Sequence, residues 1–321
     1  MTQMCCKEVR RAISTWIPWG FLFLAGTLPY RVAASENVPY RPFAQLADVL
    51  EHSQFVIGAV YEQSDAHDFW ASGQQFKAPD NAAAAVHVNQ GFLAVQYGIT
   101  ERWTLDLNVG VTAETWQNIT GGNPTSTTGL MDWVIGARYQ LLNEAQAVSQ
   151  WVPTLTFRAA GVLPGSYNQQ NPFSPGYRSA AIQPELLFRK HYAWSGFGSY
   201  GDGLFRWNHT TSNTQYILAL GFFQQLNQWE LDFGWRHLQT LSGTDIVYQS
   251  DGTISYPRDP RENYDALEAG FSYTTAQKHY RYGAHVRTVF DGNNTDAKFW
   301  FGFSVDFPFG GQSTAPRKGN D

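Results

Sequence analysis

RWTLDLNVGVTAE, residues 102–114, sets apolar side chains at every second position: Trp103, Leu105, Leu107, Val109 and Val111. Thr104, Asp106, Asn108, Gly110 and Thr112 stand between them. A period of two belongs to a β-strand with one apolar and one polar face. In a water-soluble protein the apolar face turns to a core. In a membrane barrel the same face meets lipid and the polar face turns inward.

The bulk composition narrows the choice. Of 321 residues, 15% are charged and 16% aromatic, whereas ordinary soluble domains hold roughly 25% charged residues. Mean hydropathy is −0.35, too low for a bundle of transmembrane helices. With 29 glycines, the chain reads as all-β with alternating faces. Its net charge of −5 and lack of a basic stripe argue against nucleic acid.

Twelve strands are expected, at 54–61, 86–98, 102–115, 129–142, 151–163, 178–190, 193–206, 214–226, 228–240, 264–274, 279–290 and 296–309. Most exceed the roughly five or six residues of a common globular strand and match the roughly 9–11 needed to cross a bilayer at a tilt. Connections at 99–101, 190–192, 226–228 and 275–278 are tight, and those at 62–85, 116–128, 164–177 and 241–263 are long and polar. The alternation is that of short periplasmic turns and longer outer loops. Residues 54–309 are therefore read as a single antiparallel transmembrane β-barrel, with a soluble β-sandwich as the alternative. Trp103, Trp133, Trp229, Trp235, Tyr280, Tyr282 and Phe309 lie on the apolar faces, as interfacial girdles or as plain core aromatics.

The N-terminus has the three parts of a secretory signal. KEVRR at 7–11 is basic, 12–30 carries no charge, and Val32-Ala33-Ala34 puts small residues before a cut. Residues 1–34 are read as a signal peptide, with an uncleaved anchor as the alternative. Its removal takes both cysteines, four basic residues and one acidic residue, leaving a formal charge of −8. Residues 35–53 then form an N-terminal periplasmic segment holding a short helical stretch, and 310–321 form a polar tail. Export to a Gram-negative outer membrane follows, with outer-membrane lipid, lipopolysaccharide and the barrel assembly machinery as partners of a monomer.

On the polar face, assigned to the lumen, the acidic residues are Asp106, Asp132, Glu185, Glu230, Asp232, Glu268 and Asp306. The basic ones are Arg138, Arg158, Arg189, Arg236, Arg281, Arg287 and Lys298, with His285 nearby. A balanced interior implies mutual pairing, since an unpaired buried ion costs several kcal/mol. Strong selectivity for ions of one sign is disfavoured. Twelve strands lie between the eight that side chains fill and the 16–18 that leave a water channel. Pro184, inside AAIQPELLF at 180–188, cannot donate to the ladder. It marks either a bulge or a local gap in the wall.

Three stretches occur in order on consecutive strands: YGITERWTLDLNVGV (97–111), TGLMDWVIGARYQLL (128–142) and TLTFRAAGVLPG (154–165). They resemble the outer-membrane barrel family named for the meta-pathway of phenol degradation, a relative of the hydrophobic-compound channels. The resemblance covers about residues 55–309. Met131 departs from a middle glycine of the family pattern, and Leu163-Pro164-Gly165 lacks its usual Thr or Ser. The resemblance implies passage of small apolar or aromatic compounds and brings no agreed binding residues. A plugged structural or surface-binding barrel and a lipid-modifying barrel enzyme are the alternatives.

Catalytic and metal motifs are weak. His209 and Ser212 are three apart, so on a strand they fall on opposite faces. Asp65, His67 and Asp68 make the one close acid–histidine group, in an expected loop. No catalytic residue, cofactor or metal is assigned.

Overall fold

A computed structural model describes residues 47–71, 74–77, 86–116, 125–167, 178–192, 196–209, 214–245, 247–248, 254–255 and 261–310. The leader at 1–34 and the tail after Gly310 lie outside the described residues. In the 35–53 segment a short helical stretch is expected over 43–52, but the described residues 47–53 form turns and irregular chain rather than helix.

The alternating stretch becomes β3, Trp103–Trp116, after β1 (Gln54–Ala66) and β2 (Val86–Thr100). Strand β4 has two pieces, Thr125–Leu130 and Trp133–Leu142, both paired with β3. Then come β5 (Thr154–Leu163), β6 (Ala181–His191), β7 (Phe197–Asn208) and β8 (Gln215–Leu226). The last four are β9 (Trp229–Thr240), β10 (Asn263–Thr274), β11 (Arg281–Asn293) and β12 (Phe299–Gly310). Sequential neighbours pair antiparallel, and β12 returns to β1 from Gln54↔Gly310 to Asp65↔Phe299. The result is a closed antiparallel barrel of twelve strands, and closure leaves the sheet no free edge. A 12-residue strand is about 40 Å long and at a tilt near 45° spans roughly 28 Å.

The faces are inverted relative to a soluble sandwich. On β3, Leu105 and Val111 are 45% and 56% exposed, while Thr104, Asp106, Asn108, Thr112 and Glu114 are buried inside. At the end that holds Gln54 and Gly310, aromatic pairs stand around the rim. Trp103 lies 4.7 Å from Tyr139, Trp229 4.8 Å from Tyr273, and Tyr280 5.1 Å from Phe307. The turns here are short, and Asn227 takes a φ of 56° to close one of them.

Three elements differ most from the sequence expectation, the others shifting by up to three residues at an end. Strand β1 runs five residues further, to Ala66, rather than giving way to loop at Glu62. Gln63 and Asp65 on its outer side made that piece look like loop, but only the inner alternation of Val60, Glu62, Ser64 and Ala66 counts near the barrel rim. Strand β7 starts at Phe197 and ends at Asn208 instead of covering 193–206. Strand β4 is kinked: Asn108 faces Val134 and Val111 faces Leu130, so three residues of β4 oppose two of β3. That is a bulge.

Candidate functional site

The inner wall carries the chemistry. Asp106, Asp132, Arg138, Arg158, Glu185, Glu230, Asp232, Arg236, Glu268, Arg281, His285, Arg287 and Lys298 are all buried on the inner side. Arg189 and Asp306, closer to the aromatic rim, are half-buried.

In the β3–β6 sector Arg158 is the centre. Its Nη2 donates to Asp106 at 2.6 Å and its Nη1 to Glu185 at 2.8 Å, and Arg138 Nε lies 3.3 Å from Asp106. Asp106 and Arg158 are on strands separated by β4, whose Gly136 lies between them. A Cβ at Gly136 would strike both side chains, so the absent side chain makes the bridge feasible. A second network spans β9–β11. Arg236 donates to Glu268 at 2.7 Å, Arg287 pairs with the same carboxylate, and Arg281 reaches Glu230 at 2.8 Å. His285 Nε2 lies 3.1 Å from Glu62. Short charge-assisted contacts of this kind offset much of the cost of burying ions.

The wall is not uniformly polar. Leu204, Ile217, Leu238, Tyr264, Ala266 and Val289 form one buried apolar cluster, with Trp70 packed against it. Val134, Ala160, Val162 and Ala181 form another.

At the rim end, residues 47–50 turn into the barrel. Ala47 packs among Leu187, Tyr200, Ala219 and Phe223, and its carbonyl accepts from Thr156 Oγ1. Leu50 N–H donates to Thr104 Oγ1 at 2.8 Å, and Asp48 pairs with Arg189.

Toward the other end, the β4 bulge meets the segment after β5. Ser166 N–H donates to the Leu130 carbonyl at 2.8 Å, and Gly165 N–H donates to Asp132 at 2.9 Å. The fully buried Tyr167 places its hydroxyl 3.1 Å from Asp132, which Arg206 also approaches at 3.4 Å. Gly165 runs so close to Leu130 and Met131 that a Cβ would collide with their backbone. The GLMD and LPG stretches, 34 residues apart at Asp132 and Ser166, are thus one unit in space.

Pro184 sits on β6 next to this unit. Pairing with β5 is continuous through Ala159↔Pro184. Toward β7 it jumps from Leu204↔Glu185 to Trp207↔Ile182, with the same register on both sides. The ladder is interrupted there for two pairs without a bulge.

No family model and no curated protein matches this chain. An outer-membrane channel from Pseudomonas putida F1 superposes with a TM-score of 0.63 at 17% identity, over 82% of this chain and 98% of that one. The translocator domain of the autotransporter NalP from Neisseria meningitidis gives a TM-score of 0.45 at 12% identity, over 83% and 92% of the two chains. A FadL homologue from Pseudomonas aeruginosa gives 0.36 at 11% identity, over 88% and 99%. The first likeness is one of fold; the other two are too distant to bear on this protein.

Sequence reasoning passed over Glu62, Glu114, Asp202 and Arg206, all buried on the inner face, and Tyr167. Continuing the β1 alternation would have found Glu62. Gly198, Gly201 and Gly203 removed the contrast between the faces of β7 that would have exposed Asp202 and Arg206. His209 sits just past β7 with its N–H donating to Ala180, and Ser212 is outside the described residues. Asp65 bonds His87, and Asp68 accepts from Gln75 at 2.9 Å. Among the described residues no group of three acids, histidines or cysteines is placed to hold a metal.

Proposed function

We propose that this barrel resides in the outer membrane of a Gram-negative bacterium and passes small hydrophobic or aromatic molecules passively. It works as an exported monomer set in lipid and lipopolysaccharide, needs no cofactor, and reaches the membrane through the barrel assembly machinery. The supporting observation is the interior. Its arginines are held in ion pairs with wall carboxylates, and between the pairs lie apolar clusters that suit a small apolar solute better than an ion. The outward apolar band and aromatic rim suit lipid. The interrupted ladder at Pro184, beside the Asp132–Tyr167 unit, supplies a sideways route through the wall.

The test uses liposomes whose outer leaflet carries lipopolysaccharide, because bare lipid already passes aromatics. Protein-loaded liposomes take up a small aromatic faster than empty ones, and Pro184→Val, which restores a ladder donor, slows uptake without unfolding the barrel. Absence of protein-dependent uptake for every aromatic tried would sink the reading.

One observation favours a second reading, a plugged structural barrel: Ala47 and its neighbours occupy the rim end of the interior. Deleting residues 35–53 separates the two. A channel that the segment only narrows gains in uptake, whereas a structural barrel stays impermeable.

A further inference from the structure

Six inner-face side chains in the β12–β1–β2–β3 sector stand outside the ion-pair networks, or only half inside them. Register brings them together. Ser64 lies opposite Trp300 and Val88, Glu62 opposite Gly302 and Gln90, Gln90 opposite Thr112, and Val88 opposite Glu114. All six side chains are buried. Glu62 Oε2, Ser64 Oγ, Gln90 Oε1, Thr112 Oγ1, both Glu114 carboxylate oxygens and Trp300 Nε1 have no hydrogen-bond partner among the described residues. Unsatisfied atoms occur elsewhere on the inner wall as well: Glu268 and Arg281 are each bonded through another atom, while Gln96 and Gln183 stand singly, away from the row. Ser64, Gln90, Thr112, Glu114 and Trp300 are bonded through none among the described residues. Native proteins leave only a few buried polar groups unsatisfied per hundred residues, so a contiguous row calls for a cause.

The row has a definite chemistry. Four of its unsatisfied atoms are carboxylate or amide oxygens that only accept, one is an indole N–H that only donates, and two are hydroxyls that do either. Its complement carries several N–H donors and a positive charge. Lys298 is the cation that acts on Glu114, but it also pairs with Asp296 and is drawn by Glu262. One ammonium thus serves three carboxylates. On either side of the row the wall is apolar: Val60, Phe92 and Met131 toward the rim end, and Ala66, Phe69, Val86 and Val88 toward the other.

We propose that this row is a binding site for small organic ammonium compounds, with a primary amine head on a short apolar or aromatic body. The head takes the Glu114, Glu62 and Gln90 oxygens, and the body lies on the Val60–Phe92–Met131 cluster. The proposal rests on the reading of the interior as a path for small molecules, and it narrows that reading to amphipathic amines. In the present conformation the row is closed off. The short sheet of Asp68–Ala71, Gln74–Lys77 and Thr295–Asp296 stands beyond the ends of β1 and β12.

The experiment is isothermal titration of the full chain in lipid nanodiscs with phenethylammonium and with phenethyl alcohol, which matches it in shape. The ammonium binds at least about tenfold more tightly than the alcohol, as one charge-assisted contact predicts. Glu114→Gln removes that preference, and Asp291→Asn, at an exposed carboxylate of β11, keeps it. If Glu114→Gln does not fold, the two-ligand comparison on the unaltered protein still decides. Equal affinity for both ligands, or a preference that survives Glu114→Gln, overturns the proposal. An ammonium preference in a barrel that passes no solute supports this site and overturns the transport reading instead.

Discussion

Asp106 and Glu114 lie on one strand and one face, both at most 3% exposed, and their surroundings are opposite. Asp106 is held by Arg158 and Arg138 across three strands. Glu114 has no hydrogen bond among the described residues and a share in one lysine. The same residue chemistry thus serves two ends. Where the cation is built into the wall, the carboxylate is scaffolding. Where it is not, the carboxylate costs stability, and that cost is tolerated when a ligand supplies the missing charge.

The strongest way to break this contrast is Arg158→Met. It strands Asp106 and Glu185 without their shared cation and is expected to cost about 3–5 kcal/mol in reversible unfolding from bilayers. A loss below about 1 kcal/mol would put Asp106 on the same footing as Glu114. Next in size is the facing of β3. Leu107→Arg drives a charge into lipid at roughly 2–4 kcal/mol, and Asn108→Arg, one residue on and turned inward, costs much less. Equal losses would mean that the wall is assigned the wrong way round.

A smaller effect belongs to the unit that joins the β4 bulge to the segment after β5. Tyr167→Phe removes one hydroxyl from Asp132 and should weaken that contact by about 1–2 kcal/mol. Hydrogen exchange at Ser166 accelerates while exchange in β9 stays the same. Uniform acceleration would show that the unit is no separate latch.

The smallest effect is at the rim turn. Glu144 accepts from Lys190 Nζ at 3.1 Å and from His191 N–H at 3.0 Å, with the His191 ring also on its carboxylate. Partial burial pushes its pKa up, but these hydrogen bonds and the His191 charge outweigh that and hold it below the ordinary glutamate value. The folded value is depressed, so the turn's stabilisation is present above the unfolded value, about 4.3, and fades as pH falls through the folded one. Protection of the His191 amide should therefore drop in acid, and Glu144→Gln should flatten that dependence.

The barrel was legible because a period of two over long strands survives any uncertainty about their ends, and the turn lengths alternate. Most inward charges were legible for the same reason, as with Asp106, Arg158 and Glu268. Their pairing was not. Asp106 meets Arg158 across Gly136, a contact set by the register of three strands rather than by spacing along the chain. The union of Leu130 and Asp132 with Gly165 and Ser166 is tertiary in the same sense. Glu62 and Ser64 were hidden because Gln63 and Asp65 on the outer side are polar too, which erases the contrast that marks a strand. That Glu114 lacks a partner is invisible in one dimension.

The most direct measurement compares thermal midpoints of Asp106→Asn and Glu114→Gln in lipid nanodiscs, without added ligand. The midpoint falls for Asp106→Asn, because Arg158 and Arg138 lose their shared carboxylate. It stays level or rises for Glu114→Gln, because a buried carboxyl group without a hydrogen bond is removed. Equal falls in both variants would contradict the division of this inner wall into scaffold and site.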